Sequence, residues 1–124
     1  MASACPPPSP LVLVVEDEEI VRMVAVEMLE VAGWTALEAA DADEAMLLLE
    51  RRSDIAVLFT DVDMPGSMDG FELATQVASR WPHIRLVLTS GRLRPSNDDV
   101  PDSGQFVAKP YRTSQLLEAF RNAG

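Results

Sequence analysis

The chain alternates between short apolar runs and longer segments in which apolar residues recur at helical spacing. Five runs are candidate strands, and three of them are continuously apolar, which is typical of strands buried on both faces of a parallel sheet. The candidate strands are residues 11–15 (LVLVV), 34–39 (WTALEA), 55–60 (IAVLFT), 85–89 (RLVLT) and 105–108 (QFVA).

Four other segments have the spacing of amphipathic helices. The first, residues 19–32, is followed by Gly33, a residue type that commonly ends helices. Two later helices are predicted to begin with a capping box, at Asp41 with Glu44 and at Asp69 with Glu72. The predicted packing faces are Ile20, Val24, Met28 and Val31 on the first helix, Phe71, Ala74, Val77, Ala78 and Trp81 on the third, and Leu116, Leu117 and Phe120 on the last.

The segment SGRLRPSNDDVPDSG, residues 90–104, interrupts this alternation. It contains Pro95 and Pro101 and has no apolar stripe at helical spacing. Proline inside a helix costs about 3 kcal/mol, and burial offers nothing to offset that cost here. We therefore expect the helix between the fourth and fifth strands to be short or replaced by a loop.

The alternation of strands and helices predicts right-handed βαβ crossovers and an α/β fold, a three-layer doubly wound sandwich around a five-stranded parallel sheet. A chain of 124 residues fits one domain, which we assign to residues 11–124. Residues 1–10 contain four prolines and are predicted to form a disordered tail.

Composition narrows the possible functions. The formal net charge of -10 argues against direct binding of nucleic acid, which depends on cationic side chains. No apolar run approaches the roughly 20 residues of a membrane span, and the first residues do not resemble a secretory signal. Cys5 is the lone cysteine, so no disulfide framework is possible within the chain. We expect a cytoplasmic protein that does not contact the membrane.

Acidic residues follow two of the predicted strands. Glu16 and Asp17 come directly after the first strand and Asp61 after the third. Ligands of doubly wound sheets bind beyond the carboxyl ends of the strands, so these carboxylates should converge if the two strands are neighbours. Like charges about 4 Å apart repel by about 1 kcal/mol in water and by about 4 kcal/mol at an effective dielectric constant of about 20. A cation would relieve that repulsion, and an all-oxygen site suits Mg²⁺.

Two more strand ends carry groups that suit a phosphate. Thr89 ends the fourth strand with a hydroxyl, and Lys109 follows the fifth strand with a cation. A carboxylate beside a divalent metal, a lysine and a hydroxyl can attack phosphorus and form an aspartyl phosphate. Each residue alone has an ordinary structural explanation, but four of five strands ending in the required chemistry indicate a reactive site.

With these residues assembled, the chain resembles a response-regulator receiver domain, the phospho-accepting module of two-component signalling. The resemblance runs from about Leu11 to Asn122. It rests on the motifs VLVVEDE at 12–18, TDVDMPG at 60–66, MDG at 68–70, LTS at 88–90 and KP at 109–110. It implies the flavodoxin-like strand order 2-1-3-4-5 and a protein that catalyses its own phosphoryl transfer and hydrolysis without being a turnover enzyme.

The resemblance also implies how a Mg²⁺ ion and the phosphoryl group would be held, with no other cofactor. Asp61 would be the phospho-acceptor. Asp17 and Asp61 would give carboxylate oxygens to the metal, Asp63 would give its backbone carbonyl, and Glu16 would act largely through a bound water.

The remaining roles concern the phosphoryl group and the response to it. Thr89 and Lys109 would hold the phosphoryl oxygens, and Ser90 is a small residue that would leave the acceptor accessible. Thr89 and Phe106 would form the switch, since the resemblance couples a shift of the threonine hydroxyl to an inward turn of the aromatic ring three residues before the lysine.

Three features depart from the common pattern of such domains. Glu16 replaces the more usual aspartate, and Ser67 lengthens the turn before the MDG motif by one residue. Residues 90–104 fall where most receivers have their fourth helix, a common docking and dimerisation surface. We therefore expect a monomer or a weak homodimer and do not assume a standard dimer.

The implied phosphoryl donor is a sensor histidine kinase or a histidine phosphotransfer protein. The output would pass to a downstream protein target or to an attached kinase or output domain.

Three other functions can be weighed against this one. DVDMP resembles the DxDx[TV] signature of haloacid-dehalogenase-type phosphatases, but Pro65 replaces the last residue, the motif lies mid-chain, and no cap domain is available. A flavodoxin would need a phosphate-binding loop after the first strand, where EDEE would repel phosphate. An unphosphorylated adaptor is the third possibility, which the intact set of Asp17, Asp61, Thr89 and Lys109 gives no reason to prefer.

Overall fold

Each apolar run becomes a strand, and each amphipathic segment a helix, in the computed structural model, which describes residues 10–64, 66, 68–91, 100, 101 and 104–123. The elements of this described part, in chain order, are β1 (Leu11–Val15), α1 (Glu19–Val31), β2 (Thr35–Ala39), α2 (Ala42–Arg51), β3 (Ile55–Asp61), α3 (Gly70–Arg80), β4 (Arg85–Ser90), β5 (Gln105–Ala108) and α4 (Thr113–Asn122).

The strands form one parallel sheet in the order β2-β1-β3-β4-β5, which confirms the predicted topology. The register aligns the carboxyl ends of neighbouring strands: Val15 of β1 is paired with Thr60 of β3, and Asp61 is paired with Thr89 of β4. Residues that directly follow β1, β3, β4 and β5 therefore lie along one edge of the sheet.

The sheet separates two hydrophobic clusters. One lies under α2 and α3 and the other under α1 and α4, which gives the three predicted layers. The first cluster includes Leu13, Leu58, Leu86, Leu88, Leu49, Leu73 and Val77, and the second includes Val12, Val14, Val57, Phe59, Leu29, Leu116 and Phe120.

The predicted packing face of α1 is wrong. Ile20 is 76% exposed, Val24 53% and Val31 85%, whereas Ala25 and Leu29 are buried against the sheet. The segment carries apolar residues around most of its circumference, so spacing alone does not identify the buried stripe. The structure leaves an apolar strip of α1 facing outward.

The other packing faces are closer to expectation. On α3, Ala74 and Val77 are buried as predicted, but the central buried side chain is Leu73. The remaining predicted members, Phe71, Ala78 and Trp81, pack against the cluster while only partly buried. On α4, Leu116 and Phe120 are buried and Leu117 is partly buried.

Local hydrogen bonds begin and end these helices where the sequence predicts. Asp69 and Glu72 form a complete capping box at the start of α3. At α2 the Asp41 side chain accepts from the Glu44 N–H at 2.8 Å, but the Glu44 carboxylate accepts from the N–H of Ala40 and not of Asp41. Gly33 follows α1 with a φ of 97°, a conformation that favours glycine.

Some predictions fall outside the described residues. These are the disordered tail over residues 1–9, the extra turn residue Ser67, and the missing helix over residues 92–99, 102 and 103. They stay predictions. None of the helices in the described part of the chain is long and apolar enough to cross a bilayer.

Gly70 provides a test of how tightly α3 packs on the end of β3. Its N–H donates to the Val62 carbonyl at 3.1 Å, and a Cβ at this position would overlap the Asp61 carbonyl oxygen and lie 2.7 Å from the Val62 Cα. We expect Gly70→Ala to lower the free energy of unfolding by about 1–3 kcal/mol, because backbone atoms must move to admit the methyl group.

Urea denaturation measures this loss, with Gly91→Ala as the control. A Cβ at Gly91 meets nothing closer than 3.9 Å, so that variant should unfold nearly as the wild type does. Equal stability of the two variants would contradict the close approach of α3 to β3.

Candidate functional site

Three carboxylates converge at the carboxyl edge of the sheet, as the sequence predicts. Glu16 and Asp17 follow β1, and Asp61 is the last residue of the neighbouring β3. One carboxylate oxygen from each residue lies within 4.8 Å of the others. Glu16 and Asp61 are buried, whereas Asp17 is exposed at the rim.

Lys109 lies between two of these acids. Its Nζ donates to Glu16 Oε1 at 2.7 Å and to Asp61 Oδ2 at 3.1 Å. The backbone N–H of Lys109 donates to the Ser90 carbonyl at 3.0 Å, which extends the β4–β5 pairing to the lysine itself. The ammonium group therefore connects the ends of β1, β3 and β5.

The buried environment of Glu16 makes its carboxyl easier to protonate than an exposed one. Burial raises the pKa of Glu16 from 4.5 to about 7; the hydrogen bond from Lys109 offsets part of this shift, and the charge of Asp61 adds to it. Burial by itself would lower the pKa of Lys109, but the hydrogen bond to Glu16 and the charge of Asp61 raise it above its ordinary value. The second oxygen of Glu16 accepts from the Glu18 N–H at 3.2 Å.

The loop after β3 is tied to Asp61 and to β4. The Asp63 N–H donates to Asp61 Oδ1 at 3.2 Å, and the Val62 N–H donates to the Thr89 carbonyl at 2.9 Å. The hydroxyl of Ser90 donates to Asp63 Oδ2 at 2.7 Å. The Asp61 carboxylate is thus held from both sides, by Lys109 and by the Asp63 amide.

Thr89 differs from every other buried polar side chain in the described residues. It is 3% exposed, and its hydroxyl oxygen has no hydrogen-bond partner, whereas the buried Thr60 hydroxyl donates to the Asp61 carbonyl at 3.0 Å. Leaving a buried polar group unpaired costs about 1–3 kcal/mol, so such groups are uncommon unless they have a function.

The two remaining predicted site residues are Ser90, which follows Thr89 on β4, and Phe106 on the neighbouring β5. Ser90, the last residue of β4, is fully buried. Phe106 is paired with Leu88 in the β4–β5 register and packs, partly buried, against the cluster under α2 and α3.

The site opens into an acidic cleft. Its lining includes Asp17, Asp61, Asp63, Asp69 and Lys109. When all three clustered carboxylates are ionised, the one ammonium leaves two negative charges uncompensated, and all the candidate metal-binding atoms are oxygens. This donor set fits a hard divalent cation such as Mg²⁺.

Sequence reasoning missed Arg22. From the first turn of α1 its guanidinium donates to the Glu16 carbonyl at 2.8 Å and to Glu38 Oε1 of β2 at 3.1 Å. A single arginine about one helical turn after four consecutive acidic residues, 16–19, could have indicated such a contact. The Ser90–Asp63 bond was also missed, and it joins residues too far apart in sequence to be recognised by spacing.

A match that extends over most of the chain identifies its family. The family model described as the response regulator receiver domain matches residues 12–121. The chain belongs to this family. As a receiver domain it is a phospho-accepting signalling module, and the phosphatase alternative is not supported.

Several curated proteins resemble this receiver domain. It is 34% identical over 116 residues to the transcriptional regulatory protein PdtaR of Mycobacterium tuberculosis, covering 90% of the receiver and 55% of PdtaR. Its identity to the sensor kinase CckA of Brucella abortus is 34% over 112 residues, covering 87% of the receiver and 12% of the kinase. With the C4-dicarboxylate transport regulator DctD of Rhizobium meliloti the identity is 30% over 124 residues, covering 93% and 25%. The receiver therefore spans about half or less of these relatives.

Solved structures show the same fold. A response regulator receiver protein from Pseudomonas putida is 29% identical, with a TM-score of 0.79, 92% of this chain covered and 97% of the other. The receiver domain of the hybrid histidine kinase CckA is 32% identical, with a TM-score of 0.75, 90% of this chain covered and 95% of the other.

The raised pKa of Glu16 predicts how the metal-free receiver responds to pH. Between pH 4.5 and about 7 the folded protein keeps a proton on Glu16 that the unfolded chain has released. This group should therefore make the free energy of unfolding fall as pH rises through that interval and level off above it.

Urea denaturation without divalent metal, at several pH values across the interval, measures this slope. Glu16→Gln is the control, because it lacks the titrating group and should remove this part of the pH dependence. Parallel curves for the wild type and the variant would contradict the assignment.

Proposed function

We propose that Asp61 accepts a phosphoryl group from a phosphohistidine on a sensor histidine kinase or a histidine phosphotransfer protein. The observation that carries this proposal is that the Asp61 carboxylate lies 3.1 Å from the Lys109 ammonium and that Asp61 is register-paired with Thr89, whose buried hydroxyl has no partner among the described residues. A turn aspartate with a purely structural role needs neither.

The proposed step is a direct transfer. A carboxylate oxygen of Asp61 forms a bond to phosphorus while the bond between phosphorus and the donor imidazole nitrogen breaks, and the imidazole leaves with the electron pair. Lys109 is held where it can shift from the carboxylates to a phosphoryl oxygen as negative charge accumulates there. Thr89 can donate to a second phosphoryl oxygen, which would satisfy its hydroxyl for the first time.

The acidic residues support a role for Mg²⁺. Asp17 and Asp61 would supply carboxylate oxygens and Asp63 its backbone carbonyl. Glu16 would contribute through a bound water, in keeping with the hydrogen bonds that both of its oxygens already make. When bound, Mg²⁺ would offset the negative charge of the carboxylates and of the incoming phosphoryl group.

The phosphorylated state would be transmitted through β4 and β5. Thr89 would move toward the phosphoryl group, and Phe106, register-paired with Leu88 on the adjoining strand, would follow. This is a two-state element whose balance changes with the charge placed at the site. Its readout would be a downstream protein or an attached kinase or output domain.

The proposed activity is phosphorylation of the receiver itself and not the repeated conversion of a separate substrate. Each chain would take up one phosphoryl group and release it by its own hydrolysis. The acidic balance of the chain gives no support to direct contact with nucleic acid.

Replacing the acceptor tests this proposal directly. With phosphoramidate or acetyl phosphate and Mg²⁺, the wild type should take up one hydroxylamine-labile phosphate per chain, and Asp61→Asn should take up none because an amide oxygen is a poor nucleophile. Intact-mass spectrometry counts the phosphates.

Asp69→Asn is the matched control, since Asp69 lines the same cleft but caps α3, and it should be labelled as the wild type is. Labelling of Asp61→Asn at the wild-type level would refute the acceptor assignment. Phosphate release by the wild type with no phosphorylated chain detectable by mass would refute the absence of turnover.

Thr89→Val tests the unpaired hydroxyl. This change removes a buried polar group that has no partner, so the resting protein should be as stable as the wild type or more stable, by up to about 1–3 kcal/mol. Addition of beryllofluoride and Mg²⁺ should raise the melting temperature of the wild type by more than that of the variant, because the variant lacks the hydroxyl donor.

Thr60→Val provides the contrast, since its hydroxyl is buried and bonded to the Asp61 carbonyl. That variant should be less stable than the wild type at rest. Destabilisation of the resting protein by Thr89→Val to the same extent would show that the Thr89 hydroxyl already has a structural partner.

A further inference from the structure

Ser90 makes a contact that its size alone does not explain. It is the last residue of β4, its side chain is fully buried, and its hydroxyl donates to Asp63 Oδ2 at 2.7 Å. Asp63 belongs to the loop after the neighbouring strand β3. Hydrogen bonds to an ionised carboxylate are shorter and stronger than neutral ones, so this bond can restrain the loop.

Two successive hydrogen bonds connect Ser90 to Asp61. Ser90 holds the carboxylate of Asp63, and the backbone N–H of Asp63 donates to Asp61 Oδ1 at 3.2 Å. The other oxygen, Asp61 Oδ2, faces Lys109. Rotation of the Asp63 peptide would release Asp61 Oδ1 and would also move the backbone carbonyl that is proposed to bind the metal.

The bond also restrains a carboxylate that would otherwise be free to enter the site. Asp63 lines the acidic cleft, close in sequence to Asp61. With Oδ2 held by Ser90, its side chain is directed toward β4. The site can then present Asp17 and Asp61 as the carboxylate ligands.

We propose that Ser90 is a positioning residue, which acts through the Asp63 carboxylate to fix the loop that orients Asp61 and completes the metal site. The inference rests on the proposed function, because it assigns a purpose to the order of that loop. It differs from the expectation that Ser90 serves only by being small, since alanine would then be an equal substitute.

A double-mutant cycle on Mg²⁺ binding tests the pathway without using phosphorylation. Isothermal titration calorimetry with MgCl₂ would be run on the wild type, Ser90→Ala, Asp63→Ala and the double variant. Loss of a residue that orients metal ligands typically weakens metal binding by about 10- to 100-fold. We expect each single variant to bind Mg²⁺ at least about 10-fold more weakly, and the double variant to bind no more weakly than Asp63→Ala.

The Asp63 position gives a second test, whose first comparison does not depend on the folding of Ser90→Ala. Asp63→Asn and Asp63→Ala lose the same charge, but the asparagine keeps an oxygen that can accept from Ser90. Asparagine should therefore bind Mg²⁺ more tightly than alanine does, and that difference should vanish when Ser90 is also replaced by alanine.

Each outcome decides between the explanations. Wild-type Mg²⁺ affinity in Ser90→Ala, or an equal effect of Ser90→Ala with and without the Asp63 carboxylate, would overturn the inference while leaving the proposed function intact. Failure of the wild type to bind Mg²⁺ would overturn the metal part of the proposed function, and this inference with it.

Discussion

The contact between Lys109 and the two buried acids is the interaction on which the site depends. Glu16 directly follows β1 and Asp61 ends the neighbouring β3, so the fold brings the two acids together. The lysine ammonium bonds to both, at 2.7 and 3.1 Å, and so supplies the counterion that an isolated pair of carboxylates would lack. The same lysine is then available to any negatively charged group that arrives beside Asp61.

The threonine at the end of β4 shows the opposite arrangement. Thr89 is buried with its hydroxyl unpaired, at an energetic cost that packing elsewhere must offset. The Lys109 ammonium therefore makes two hydrogen bonds in this site, whereas the Thr89 hydroxyl makes none with the described residues. The described part of the site lacks a hydrogen-bond partner for Thr89. Departures from full hydrogen bonding in native proteins are expected where a ligand is to bind.

The sequence predicted most of the fold and the convergence of the main site residues, because both follow from simple constraints. Continuous apolar runs predict buried parallel strands, and parallel strands bring their carboxyl ends together. It failed on α1, where apolar residues surround the helix and Ala25 and Leu29, not Ile20 or Val24, pack inward. It also missed the bond of Ser90 to Asp63, which depends on side-chain rotamers and loop geometry that no spacing rule encodes.

Because the sheet divides the core into two clusters, the helices on its two faces can change in sequence independently of each other. The sheet isolates the residues under α2 and α3 from those under α1 and α4. Substitutions that share no neighbours usually contribute additively to stability, so each helical layer can accumulate changes without constraining the other. A receiver built this way can evolve a new partner on one face while its opposite face and the reactive edge between them remain as they were.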